Sequence, residues 1–179
     1  HLKVYNSIES SLDANDLQRT SIELQNWCRI WQLHANLSKT YVLHLGVNNQ
    51  QETYTFQGTN IVVAESTRDL GVEVDSNLTF DQHINNIVSK ASSRIGTLFR
   101  GFCTRNPILL RRAYVSYIRP ILECASNVWS PHLVKHINLI ESVQRRFTKR
   151  IPALSNLPYA EHLAFLDLKR LNIDALSQT

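Results

Sequence analysis

The chain has 179 residues, its fifteen Asp and Glu residues are dispersed, and no two of them are adjacent. Two-metal phosphoryl or nucleotidyl transfer needs carboxylates that converge on ions about 3.5–4 Å apart. Asp69 and Asp75 meet that need only if a turn brings them together; otherwise they are ordinary surface carboxylates. His132 and His136 stand four positions apart, a spacing that lets two imidazoles share a metal on one helical face, but no third ligand accompanies them. Capping or surface histidines are the plainer reading. The five glycines are scattered singly, so no phosphate-cradling loop is expected, and neither Gly-x-Ser-x-Gly nor His-Glu-x-x-His occurs. No metal site is expected in this stretch.

Binding chemistry is better represented. Residues 1–78 carry five Lys/Arg against nine Asp/Glu, whereas residues 79–150 carry twelve against three. Among those twelve are Lys90, Arg94, Arg100, Arg111, Arg112, Arg119, Lys135, Arg145, Arg146, Lys149 and Arg150. A stretch this basic has a polyanion as its first candidate partner. A solvated, solubilising face is the competing explanation.

The positioning elements follow from periodicity and punctuation. Leu2–Tyr5 reads as the end of a strand, and Asp13 or Asn15 can cap a helix running to about Leu33, with Leu17, Ser21, Leu24, Cys28 and Trp31 on one stripe. After a turn at Asn36–Lys39, Tyr41–Leu45, Thr53–Phe56, Ile61–Ala64 and Asp69–Val74 read as short strands, some pairing as hairpins. The remainder is helical. Asp81–Phe102 aligns Ile84, Ile87, Val88, Ala91, Ile95, Leu98, Phe99 and Phe102 on one face, opposite Lys90, Arg94 and Arg100. Asn106-Pro107 starts a helix carrying Leu109, Leu110, Ala113, Tyr114 and Tyr117. Pro120 ends that helix near Ile118 and disfavours helical geometry at Arg119, and a second short helix runs on to Trp129-Ser130-Pro131. Leu133–Ile151 buries Leu133, Ile137, Ile140, Gln144, Phe147 and Ile151, with Lys135, Arg145, Arg146, Lys149 and Arg150 across from them. Tyr159–Leu171 is a last short helix. Basic amphipathic helices also serve as calmodulin targets and membrane-surface helices, but several in succession with matching stripes favour a packed subdomain.

The fold class expected is α+β: residues 1–76 with a helix and short antiparallel strands, a basic helical subdomain over 77–151, and a C-terminal helical extension over 152–179. Hydrophobic content of 43% with 19% charged residues is globular composition. No apolar run approaches the roughly 18 residues of a membrane span, and no signal peptide is seen. Three cysteines, odd and widely spaced, favour a reducing intracellular compartment, nuclear or cytoplasmic. With no methionine at all, the chain reads as a piece of a longer product.

The residues also resemble a known family. Leu2-Lys3-Val4-Tyr5, Leu17-Gln18, Trp27-Cys28, Asn36-Leu37-Ser38-Lys39, Leu70-Gly71-Val72, Leu78-Thr79-Phe80, His83-Ile84, Lys90-Ala91, Arg119-Pro120-Ile121-Leu122-Glu123 with Trp129, Ile140–Phe147 and Tyr159–Leu163 stand in the order found in jockey-type non-LTR retrotransposon reverse transcriptases, over nearly the whole chain. His162 stands where that family usually has Arg. The resemblance implies the C-terminal half of a polymerase palm in residues 1–76, a thumb after it, and an RNA template with a DNA primer as partners. It implies Lys39 on the pyrophosphate side of the incoming nucleotide, Gly71 near the primer end, and the basic helical residues on the phosphates of the duplex. It also implies that the paired catalytic aspartates precede Leu2, with His1 at the place of the second, so that Mg2+ serves the full-length enzyme and no cofactor belongs to this stretch. The missing N-terminal part of the polymerase would then be a partner, and no membrane is involved. A non-catalytic nucleic-acid-binding module and a non-functional relic of a mobile element are the alternatives.

Overall fold

The structure is a computed structural model that describes residues 2–131 and 133–171, so His1, His132 and residues 172–179 lie outside the described part. It is mixed α+β and divides into two compact units, one ending at Thr79 and the other starting at Phe80.

In the first unit, helix α1 spans Ser11–Ile30. Its N-cap is Ser10, not Asp13 or Asn15: Asp13 lies inside the first turn, and its carboxylate accepts from the backbone N–H groups of Glu9 and Ser10, at 3.1 and 2.8 Å. Those bonds, led by one from the Ser10 hydroxyl, hold the Asp13 carboxyl below the usual value. Leu2–Tyr5 form no strand. Six strands follow: β1 (Tyr41–Leu43), β2 (Thr55–Phe56), β3 (Thr59–Asn60), β4 (Val62–Ala64), β5 (Ser66–Asp69) and β6 (Val72–Asp75). They make three separate pairs, β1 with β4, β2 with β3 and β5 with β6. The first pair is parallel, Tyr41 opposite Val62 and Leu43 opposite Ala64, which corrects the expectation of antiparallel strands throughout.

The expected strand Asp69–Val74 is instead a hairpin. Leu70 and Gly71 both take positive φ, 46° and 96°, between β5 and β6. Two left-handed residues make the primed type of turn whose twist matches the flanking strands. Gln57-Gly58 repeats the arrangement between β2 and β3. The β2–β3 hairpin docks on α1 through amides. Thr55 N–H donates to Gln18 Oε1 at 2.8 Å, Gln18 Nε2 returns a bond to Thr55 O at 3.0 Å, and Gln57 N–H donates to Gln25 Oε1 at 3.2 Å. Polar residues therefore make the seam, and Leu17 and Leu24 are only half-buried while Trp27 and Trp31 are exposed.

The second unit is helical: α2 (Asp81–Gly101), α3 (Pro107–Tyr117), α4 (Arg119–Glu123), α5 (Ser126–Trp129), α6 (Val134–Lys149) and α7 (Tyr159–Leu166). Asn106 caps α3, its side-chain oxygen accepting from Ile108 N–H at 2.9 Å, with Pro107 in the first turn as expected. The break at Ile118 is also found. Arg119, however, is the first residue of α4 and not extended, and the run to Trp129 is split by Ala125 at φ 55°. This corner closes on itself, because Trp129 is buried and its Nε1–H donates to Cys124 O at 2.8 Å, while the ring meets His83 of α2 edge-on.

The α2 stripe is buried from Ile84 to Leu98, with Phe99 half-buried and Phe102 exposed beyond the helix end. On α6, Ile140, Gln144 and Phe147 are buried together with His136, Val143 and Thr148, whereas Leu133 is exposed and Ile137 half-buried. On α3, Leu110, Ala113 and Tyr114 are buried, whereas Leu109 and Tyr117 are exposed. Described residues between 152 and 171 belong to the same core. Leu154, Leu166, Leu168 and Leu171 are buried, and His162 is enclosed with Nδ1 3.0 Å from Thr148 Oγ1 and Nε2 2.6 Å from Leu154 O.

Gln144 joins these parts. It is 0% exposed, accepts from Tyr114 Oη–H at 3.0 Å, and donates from Nε2 to Tyr159 Oη at 3.2 Å and to Lys169 O at 3.0 Å. Burial pushes both phenols well above their ordinary pKa, and the Glu141 carboxylate that accepts from Tyr159 adds to the rise there. Replacing Gln144 by Leu strands the Tyr114 hydroxyl and the Lys169 carbonyl in the interior. The Gln144→Leu protein should be less stable by about 2–4 kcal/mol, read from urea unfolding followed by circular dichroism.

Candidate nucleic-acid interface

The basic residues ride on helices whose opposite faces make the core of the second unit. Asp81 lies near Lys135, Ser92 near Arg146 and Phe99 near Phe147. The order along both helices is the same, so α2 and α6 run alongside each other in the same direction. That contact fixes which cations share a side.

Lys135 and Arg146 of α6, and Arg150 at its C-cap, face the α2 seam. Arg146 Nη1 is 3.3 Å from Ser92 Oγ, the Arg150 guanidinium carbon lies 4.4 Å from the Phe99 ring centre, and Lys135 Nζ is 3.0 Å from Asp81 Oδ2. Arg145 leans the other way, over the Tyr159 ring of α7 at 4.9 Å. Lys149 is exposed among them, with no ion-pair or hydrogen-bond partner among the described residues. Glu141 shares this helix, but its carboxylate is occupied by the Tyr159 hydroxyl and by Leu171 N–H at 3.1 Å.

The other candidates disperse. At about 100° per residue, Lys90 and Arg94 fall on the flank of α2 away from Ser92 and Phe99. Both are exposed and unpaired among the described residues, as is Arg112. Arg100 is exposed on α2, with Nη2 3.4 Å from Thr97 Oγ1. Arg111 is spent on Asp167, its Nη2 lying 3.0 Å from both the carboxylate and the backbone oxygen. Arg119 is half-buried and bonded to Glu123 at 2.7 Å, one helical turn on. These last two are each paired with a carboxylate of the same unit, unlike Lys90, Arg94 and Arg112.

In the first unit, Lys39 ends a 3-10 turn over Leu37–Lys39 and is exposed without an ion pair among the described residues. The turn itself is the expected one: Asn36 Oδ1 accepts from Ser38 N–H at 3.0 Å. Gly71 is not a strand residue opened for a close approach. It sits in the β5–β6 turn, and nothing lies within 4 Å of where a Cβ would be, so its φ of +96° is what requires glycine.

The carboxylates do not converge. Asp69 pairs with Lys3, and Asp75 faces Ser66 at the other end of the same ladder. The Asp75 carboxylate accepts from Asn77 N–H and Thr79 N–H, at 3.0 and 3.1 Å, as a turn cap. His136 is buried against Asp81 Oδ1, and its proposed companion His132 lies outside the described residues. Among the described residues, no group of three His, Cys, Asp or Glu side chains is arranged to hold an ion, so they do not fit the Mg2+ that the family resemblance implies for a whole enzyme. No described helix is long and apolar enough to cross a membrane.

Sequence reading missed the roles of Phe99, Tyr159 and Asp81. The sequence shows Phe99 as a core-face residue and Tyr159 and Asp81 as helix starts; a ring under a guanidinium, or a carboxylate paired with a lysine of another helix, is visible only once two helices are juxtaposed.

Comparison with known proteins adds one relative. An uncharacterized Caenorhabditis elegans protein is 27% identical over 121 residues, covering 66% of this chain and 61% of that protein. The match thus spans less than two-thirds of the relative's own length. No family model and no solved structure matches.

The Lys135–Asp81 contact gives a pH signature. A hydrogen bond from Lys135 is the main cause holding the Asp81 carboxyl below its usual value. A lowered folded pKa means that the contact stabilises above the unfolded Asp value of about 4 and is lost as pH falls through the folded value. Asp81→Asn should lower the melting temperature at neutral pH, and the difference should shrink as pH falls below about 4 and the carboxylate is progressively protonated, when thermal unfolding is followed at each pH. Equal melting at neutral pH would mean that the contact is inert.

Proposed function

We propose that this chain is the C-terminal part of a jockey-type non-LTR retrotransposon reverse transcriptase, the end of the palm and the thumb, and that its helical unit grips the template-primer duplex by the phosphates. The observation that carries this reading is the set of cations along α6 and its C-cap, which flank the α2 seam on one side and α7 on the other. Lys135, Arg145, Arg146, Lys149 and Arg150 make up that set, and Lys135 alone has a carboxylate partner among the described residues. A row of unneutralised cations on a rigid element suits a polymer of phosphates, where released counterions drive binding.

The first unit supports the remainder of the reading. Among the described residues its strands form two-stranded pairs, which are marginal alone, and Trp27, Trp31, Tyr41, Val62 and Val63 are exposed. A palm completed by a preceding segment would cover such surfaces. Lys39 then serves the pyrophosphate side of an incoming nucleotide, and the Gly71 turn approaches the primer end. The metal-binding aspartates of such an enzyme belong to that preceding segment, since Asp69 and Asp75 are committed elsewhere.

A nucleic-acid-binding module without catalysis fits the same α6 cations, so two measurements are needed. The affinity for an RNA–DNA hybrid should fall steeply with KCl concentration, and Lys149→Ala should reduce the slope of log affinity against log salt by about 1. A flat salt response would exclude phosphate binding. Primer extension by this chain in Mg2+ should be absent. Extension by the isolated chain would contradict its role as a non-catalytic portion, and activity restored by adding the preceding polymerase segment would separate polymerase from free-standing module.

A further inference from the structure

The last two turns of α6 do more than accumulate charge, and the role inferred for them deepens the phosphate-binding reading and rests on it. Arg145 lies over the Tyr159 ring on one side of the helix, and Arg150 over the Phe99 ring on the other. Both rings are themselves held. The Tyr159 hydroxyl donates to Glu141 and accepts from Gln144, and Phe99 packs on the buried Phe147 at 5.5 Å between centres.

A ring attracts a cation through its electron-rich face and offers no lone-pair acceptor, so the contact of Arg145 with Tyr159 at 4.9 Å and that of Arg150 with Phe99 at 4.4 Å consume no conventional hydrogen bond. Neither the Arg145 nor the Arg150 side chain donates a hydrogen bond to a protein acceptor among the described residues. The Glu141 carboxylate, on the same helix as Arg145, is turned to Tyr159 and to Leu171 N–H instead of pairing with it. The two guanidinium groups are thus placed by the fold while their donors remain available. A merely solubilising arginine has no need of such support.

We propose that Tyr159 and Phe99 are positioning residues that pre-order Arg145 and Arg150 to receive backbone phosphates of a nucleic acid through their N–H forks, with Lys149 adding charge on the same turns. Recognition at this end of α6 then depends on the shape of the guanidinium group as well as its charge. Lysine keeps the charge but has neither the planar fork nor the same stacking on a ring.

The experiment is the double substitution Arg145→Lys and Arg150→Lys in the full chain, which leaves net charge unchanged. Binding of a fluorescein-labelled RNA–DNA hybrid is followed by anisotropy across a KCl series, with melting checked by circular dichroism. Affinity should fall about tenfold at every salt concentration, with the salt slope unchanged because the same number of charges is engaged. Phe99→Leu, which leaves both arginines in place and removes one ring, should lower affinity about threefold with the same slope. Unchanged affinity in both proteins, with salt-dependent binding by the parent chain, would overturn the positioning role and leave the phosphate-binding reading intact. A parent chain without salt-dependent binding would remove both.

Discussion

The second unit depends on one buried amide. Gln144 sits where α3, α7 and the segment up to Leu171 all meet α6, and its oxygen and nitrogen are both used there. Leaving such a group unpaired in an apolar interior is costly, so the surrounding parts must adopt the one arrangement that supplies its partners. Apolar packing alone would let α7 slide along α6. The amide does not, because Tyr114, Tyr159 and Lys169 must each arrive at a set place. The stacking of Tyr114 on Phe147, 4.5 Å between ring centres, is fixed by the same bond.

From that anchor the outer surface inherits its order. Tyr159 is positioned by Gln144 and Glu141, and Tyr159 in turn supports Arg145. Phe147, one helical turn after Val143 in the core, supports Phe99 and through it Arg150. The cations therefore border a packed core, and they differ in kind. Arg111 and Arg119 are consumed by Asp167 and Glu123, whereas those on the last turns of α6 are held by rings or left open. Charge counting treats them alike. Their surroundings do not.

The two units differ in how far they bury their apolar residues. Among the described buried apolar residues, Ala14, Tyr54, Phe56 and Val72 belong to the first unit and the others to the second. Its α1 meets the β2–β3 hairpin with glutamines and a serine, which make directional bonds but cover little apolar surface. The hydrophobic effect scales with area removed from water, so the second unit has the stronger basis for independent stability. The proposed place of the first unit, within a larger palm, is a reading consistent with that imbalance.

Local chemistry determined much of this protein from the sequence alone. Asn106-Pro107 starts a helix, Pro120 marks the corner near Ile118, and the 3.6-residue apolar periods of α2 and α6 give their buried faces, because each is set by a residue's own backbone geometry or by helix pitch. The α+β class and the basic character of the helical part were legible for the same reason. Only the tertiary structure decided the parallel pairing of β1 with β4, the hairpin at Leu70-Gly71, the inclusion of residues 152–171 in the core, and which arginines stay open. Those outcomes turn on which partner lies across a contact, and sequence spacing within one element carries no record of its neighbour.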